Sequence, residues 1–140
     1  MKKISLVLGI FCFSFFFSQK NQNYLQIGYA SICCGTPSTD PVINYVKQFQ
    51  KKNKTKSFEI LRQSGLGREG EFNLYIGTDQ LSKTQKANFV KGLKSAISSQ
   101  NTKRNTGSDG IVNFEASQVV TKKDLAQVKN LNSYKNNLIK

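Results

Sequence analysis

Cys33 and Cys34 stand side by side, followed by Gly35 and Thr36, and no other stretch of the chain concentrates as much chemistry. Two adjacent thiols offer three uses. They can be inert, with one buried as a small hydrophobe; they can cycle between dithiol and disulfide; or they can chelate a soft metal ion. A bond between them is geometrically awkward. Neighbouring Cα atoms lie about 3.8 Å apart across a trans peptide, below the roughly 4.4–6.8 Å common for disulfides. A structural zinc site needs wider spacing and four ligands, and the remaining cysteine, Cys12, falls in the apolar N-terminal run.

The chain has no histidine. Imidazole metal ligands and the Ser-His and Cys-His nucleophile pairs are therefore excluded. The 8 carboxylates fall in no calcium-loop or paired-acid pattern. These absences point away from hydrolytic chemistry and toward binding, with no catalytic residue, metal or cofactor expected. One literal motif match remains. Gly65-Leu66-Gly67-Arg68-Glu69-Gly70 spells the dinucleotide fingerprint. That motif works because a helix follows it and its N-terminus receives the pyrophosphate. Here Phe72, Leu74 and Ile76 follow in alternation, the pattern of a strand, so the glycines mark a hairpin tip.

The elements that position these residues can be read from hydrophobic period. Leu25, Ile27 and Tyr29 alternate with Gln26, Gly28 and Ala30, as in a half-buried strand. Extending that parity places Cys33 on the core face. Ser38, Thr39 or Asp40 can cap a helix with Pro41 in its first turn, and Val42, Tyr45, Val46 and Phe49 form its apolar stripe. Lys56–Gln63 and Glu71–Thr78 read as a strand pair around the glycine-rich tip. Ser82-Lys83-Thr84-Gln85 is a capping box, opening a helix with Phe89, Leu93, Ala96 and Ile97 inward and fading near Gln100. Asn101–Gly110 is a loop dense in turn formers, and Ile111–Val119 a fourth strand. Leu125, Val128, Leu131 and Leu138 then recur at loosely helical spacing among asparagines.

The N-terminus sets the compartment. Met1-Lys2-Lys3 precedes the uncharged apolar run Ile4–Phe17, which is too short for a spanning helix and has the layout of a secretory signal peptide. The expected division is a signal peptide at 1–19, one α+β domain at 20–120 and a helical or frayed tail at 121–140. Export places the protein in the periplasm or outside the cell, with no transmembrane segment after cleavage. Losing Lys2 and Lys3 lowers the net charge from +13 to +11, still strongly basic. Such a field attracts anionic polymers and surfaces. Nucleic acid is not the expected partner, because export and a polar sheet face (Gln26, Glu59, Gln63, Glu71, Asn73, Tyr75, Asn113, Glu115) argue against it.

The order β-α-β-β-α-β predicts a ferredoxin-like two-layer sandwich, with a C-terminal helix as an addition. In that arrangement one end of the sheet gathers Cys33, Cys34, Gly35 and Thr36, the Gly65–Gly70 tip with Arg68, and the Asn101–Gly110 loop with Lys103 and Arg104. This end is the candidate ligand-binding edge, suited to an anionic group or a protein partner. Lys47, Lys51, Lys52, Lys86, Lys91 and Lys94 form a candidate polyanion face on the helices. The resulting expectation is an exported small binding module; the alternative is a thiol-dependent redox or soft-metal-handling protein using the Cys33-Cys34 pair.

Overall fold

A computed structural model describes residues 22–135; the expected signal peptide and the last residues of the tail, Leu138 among them, lie outside the described residues. The elements are β1 (Asn23–Ala30), α1 (Asp40–Asn53), β2 (Ile60–Gln63), β3 (Phe72–Gly77), α2 (Lys83–Thr102), β4 (Ile111–Thr121), α3 (Lys122–Leu125) and β5 (Leu131–Ser133). The strands form one sheet in the order β4-β1-β3-β2-β5, antiparallel at every pairing.

Alternation along β1 and β3 sorts the side chains. Leu25, Ile27, Tyr29, Phe72, Leu74 and Ile76 all face the helices and are buried with Val42, Val46 and Phe49 of α1 and Phe89, Leu93 and Ile97 of α2. Burying these large apolar side chains is the main favourable term in the fold. The expected capping box forms at α2, whereas Thr39, the N-cap of α1, makes no side-chain capping bond. Pro41 sits in the first turn of α1, and in α2 Ser82 accepts from Gln85 N–H while the Gln85 side chain accepts from Ser82 N–H. Glycine at position 92 leaves room for the Tyr45 ring of α1 to reach in against α2. A Cβ there would sit 2.3 Å from Tyr45 Oη, which donates to the Phe89 carbonyl at 2.9 Å.

Three expectations change. β2 begins at Ile60 rather than Lys56, although Phe58 still packs on the core. In β4, Ile27 pairs with Phe114 but Leu25 pairs with Val119, so residues 115–118 bulge out and the strand continues to Thr121. A bulge of this kind blunts a sheet edge against unwanted pairing. The tail is helical for four residues only, capped by Thr121 and Asp124, and then adds β5 to β2. Its Leu125 and the flanking Val128 and Leu131 cover Tyr24 and Tyr75 on the face away from α1 and α2. Tyr75 is therefore 3% exposed rather than part of a solvated face.

Tyr29 carries a testable cost. Its ring stacks on Phe72 with centroids 4.5 Å apart, but its hydroxyl is buried with no hydrogen-bond partner among the described residues. Burial pushes its pKa upward, with smaller contributions from Tyr134 and Asp40; Tyr24 shifts the same way, chiefly by burial and by its hydrogen bond to Glu59. A pKa raised in the folded state means stability is fully present below the unfolded value, about 10, and falls as pH rises beyond it. Tyr29→Phe is expected to be neutral or stabilising at pH 7, because it removes an unpaired buried hydroxyl. It should also lessen the alkaline loss. Urea unfolding at pH 7 and at about pH 10.5 checks both points; a clear loss at pH 7 would show that the hydroxyl has a partner after all.

Candidate functional site

The register fixes which loops meet. Tyr29 pairs with Phe72, Ala30 with Ile111 and Gln63 with Asn73, so β1 and β2 end where β3 and β4 begin. The three connections expected at one edge all leave from this end of the sheet. Two of them enclose a cleft of about 370 Å³, with Cys34–Ser38 on one wall and residues of 100–110, including Lys103, Arg104 and Asp109, on the other.

Cys33 and Cys34 are joined to each other, with Sγ–Sγ 2.05 Å and Cα–Cα 3.8 Å. Both are exposed, which corrects the placement of Cys33 on the core face. β1 ends at Ala30, and beyond it the chain is no longer pleated, so strand parity stops deciding where a side chain points. The corner is held locally by Gly35 N–H donating to Ser31 Oγ at 3.1 Å.

The walls are tied together at several points. Gln100 Nε2 donates to the Ser38 carbonyl at 2.8 Å. Gly110 is buried where a Cβ would lie 2.3 Å from the Ala30 carbonyl oxygen and 2.7 Å from Pro37 Cδ, so only glycine lets the loop come this near. The Asn101 carboxamide bonds both backbone groups of Val112, donating to its carbonyl at 2.8 Å and accepting from its N–H at 3.0 Å. Within the loop, Asp109 accepts from Asn105 N–H at 2.8 Å and from Ser108 Oγ at 3.1 Å. Arg104 Nη1 donates to the Asp109 carbonyl at 3.2 Å. That single bond leaves most of the guanidinium's donors uncommitted. Lys103, at the end of α2, is exposed.

Arg68 is not among the residues lining this cleft. The Gly65–Gly70 tip is exposed and lies on the β5 side, where Ser64 N–H donates to the Asn130 carbonyl at 3.2 Å. The helix lysines also divide. Lys47 and Lys51 border a hollow with Lys54 at the end of α1, Lys52 borders another with Tyr45 and Asn88, and Lys94 shares a groove beside β4 with Arg104. Lys91 is exposed and Lys86 half-buried on α2. The sequence alone marks neither Gln100 nor Asp109 as a site residue, and offers Ser38 only as a helix cap. Asp109 lay in a loop recognised only as a whole, and nothing marks Gln100 apart from any polar residue ending a helix.

Among the described residues no three cysteine, aspartate or glutamate side chains group as metal ligands. No described helix is long and apolar enough to cross a membrane. Comparison with protein-family models, curated proteins and solved structures finds no match to this chain.

Proposed function

We propose that the protein is an exported binding module, a ferredoxin-like α+β sandwich widened by β5, that takes an anionic group in the cleft between the β1–α1 corner and the α2–β4 loop. The observation that carries this is the meeting of Lys103 and Arg104 with the Cys34–Ser38 wall, across a long stretch of sequence. Asp109 offsets one of the two charges, but its carboxylate is already occupied by Asn105 and Ser108. An anionic polymer is the natural ligand class, because the helix lysines extend the attractive field beyond the cleft. A signal peptide at 1–19 is what delivers the module to such a polymer.

Titration with sulfate, followed through the backbone amide of Gly110, tests the reading. Lys103→Ala with Arg104→Ala should weaken binding by roughly tenfold at low salt, less at high salt. Arg68→Ala should leave it unchanged. Absence of sulfate binding, or an equal loss with Arg68→Ala, would overturn the assignment.

The exposed disulfide supports a second reading, a thiol-dependent redox or soft-metal-handling protein. Thiol titration of the exported protein before and after reduction discriminates: a pair that resists mild reductant does not cycle and presents no thiolates to a metal.

A further inference from the structure

We infer that Cys34 is a thiol–disulfide exchange site selective for low-molecular-weight thiols that carry a carboxylate. The inference rests on the cleft being an anion site and names the reactant it would take. Four observations lead to it. The Cys33–Cys34 bond joins sequence neighbours, so it closes no chain loop and lacks the usual stabilising role of a disulfide. Both cysteines are exposed, so the bond holds nothing in the core. Cys34 forms part of the cleft wall, opposite Lys103 and Arg104. Gly110 packs closely on the Ala30 and Gly35 carbonyls, so the backbone that carries the cations stays beside the corner while the bond reacts.

A cationic wall does two things for an approaching thiol. It holds the carboxylate, and it stabilises the thiolate, the form that attacks. The thiolate RS⁻ bonds to Cys34 Sγ, the Sγ–Sγ bond breaks, and Cys33 leaves as a thiolate. A second RS⁻ attacks the outer sulfur of the mixed disulfide, giving RSSR and the Cys34 thiolate. Two thiols are oxidised to one disulfide, and the protein pair takes up two electrons and, below its thiol pKa values, two protons.

The experiment uses the oxidised, exported protein with 3-mercaptopropionate, 2-mercaptoethanol and cysteamine, which are anionic, neutral and cationic. Each rate is divided by that of the same thiol on an uncharged disulfide unrelated to the series, 2,2′-dithiodipyridine, which removes intrinsic nucleophilicity. The expected order is anionic above neutral above cationic, with about tenfold between the extremes at low salt, shrinking at high salt. Acid quenching and peptide mapping should place the adduct on Cys34. Lys103→Gln with Arg104→Gln should flatten the order, slowing the anionic thiol most, the neutral thiol less and the cationic thiol least; amide dispersion confirms that the variant is folded. A flat or reversed series, no exchange with any thiol, or an adduct on Cys33 overturns the inference. Sulfate titration of the same oxidised protein separates the failures: sulfate bound with a flat series leaves the anion site standing, and no sulfate bound removes the site itself.

Discussion

Phe89→Ala is expected to remove about 3–5 kcal/mol of stability, the range for truncating a large aromatic in a well-packed core. Phe89 is 0% exposed and is the ring at which the two helices and the β2 approach meet. Its centroid lies 4.9 Å from Phe58, 5.0 Å from Phe49 and 5.5 Å from Tyr45. The contact geometries differ, stacked with Phe58 and edge-on with Phe49, so no single neighbour can swing in to fill the gap. α2 also has few alternatives, since Leu93 and Ile97 are its other buried residues. Domains of this size hold about 5–15 kcal/mol in total, so a loss of this order leaves a marginal fold. Urea unfolding should show the midpoint falling with the slope unchanged. Phe89→Leu keeps an apolar side chain in place and should lose less than half as much. A loss below about 1 kcal/mol for the alanine variant would mean that the core closes over the vacancy.

Where sequence and structure agree, one local rule sufficed. Period-two alternation found β1 and β3, an apolar stripe found α1, and Ser82 with Gln85 marked the start of α2, because neighbours in sequence settle those elements. Where they part, a distant partner decides. Leu125, Val128 and Leu131 recur at a spacing that suits a helix, yet Tyr24 and Tyr75 present an apolar surface across the sheet, and the tail covers it instead. Tertiary burial overrides weak helical propensity here. The bonding of Cys33 to Cys34 was geometrically discouraged by the short Cα spacing, and the exposure of Cys33 depended on where pleating stops, which parity cannot reveal. Of the candidate edge, the corner and the α2–β4 loop do enclose one cleft, and Arg68 does not take part. Sheet order determines which loops share an end, but not toward which side each loop leans.

Asn101 is the residue whose importance sequence least suggests, and its replacement should have the second largest effect. β4 is an edge strand, so its outward N–H and C=O groups lack a strand partner. At Val112, which is 2% exposed, both outward groups are taken by the one carboxamide of Asn101. Asn101→Ala leaves a buried donor and a buried acceptor unpaired, at about 1–3 kcal/mol each, and frees the end of α2 from the strand. A total of roughly 2–4 kcal/mol is expected, since water can reach part of the edge. Asn101→Asp tests the donor separately. Its carboxylate still accepts from Val112 N–H but faces the Val112 carbonyl with no hydrogen to give, so at pH 7 it should be at least as destabilising as alanine. That environment favours the protonated acid and raises the folded-state pKa above the usual aspartate value, about 3.9. A raised pKa contributes stability that is present below the unfolded value and is lost as pH rises through the folded one. The aspartate variant should therefore recover relative to the alanine variant as pH falls from 7 toward about 4. Parallel urea titrations across that range decide it: equal pH dependence in the two variants would show that the Asn101 carboxamide does not bridge Val112, and that the α2–β4 wall of the cleft is held by other contacts.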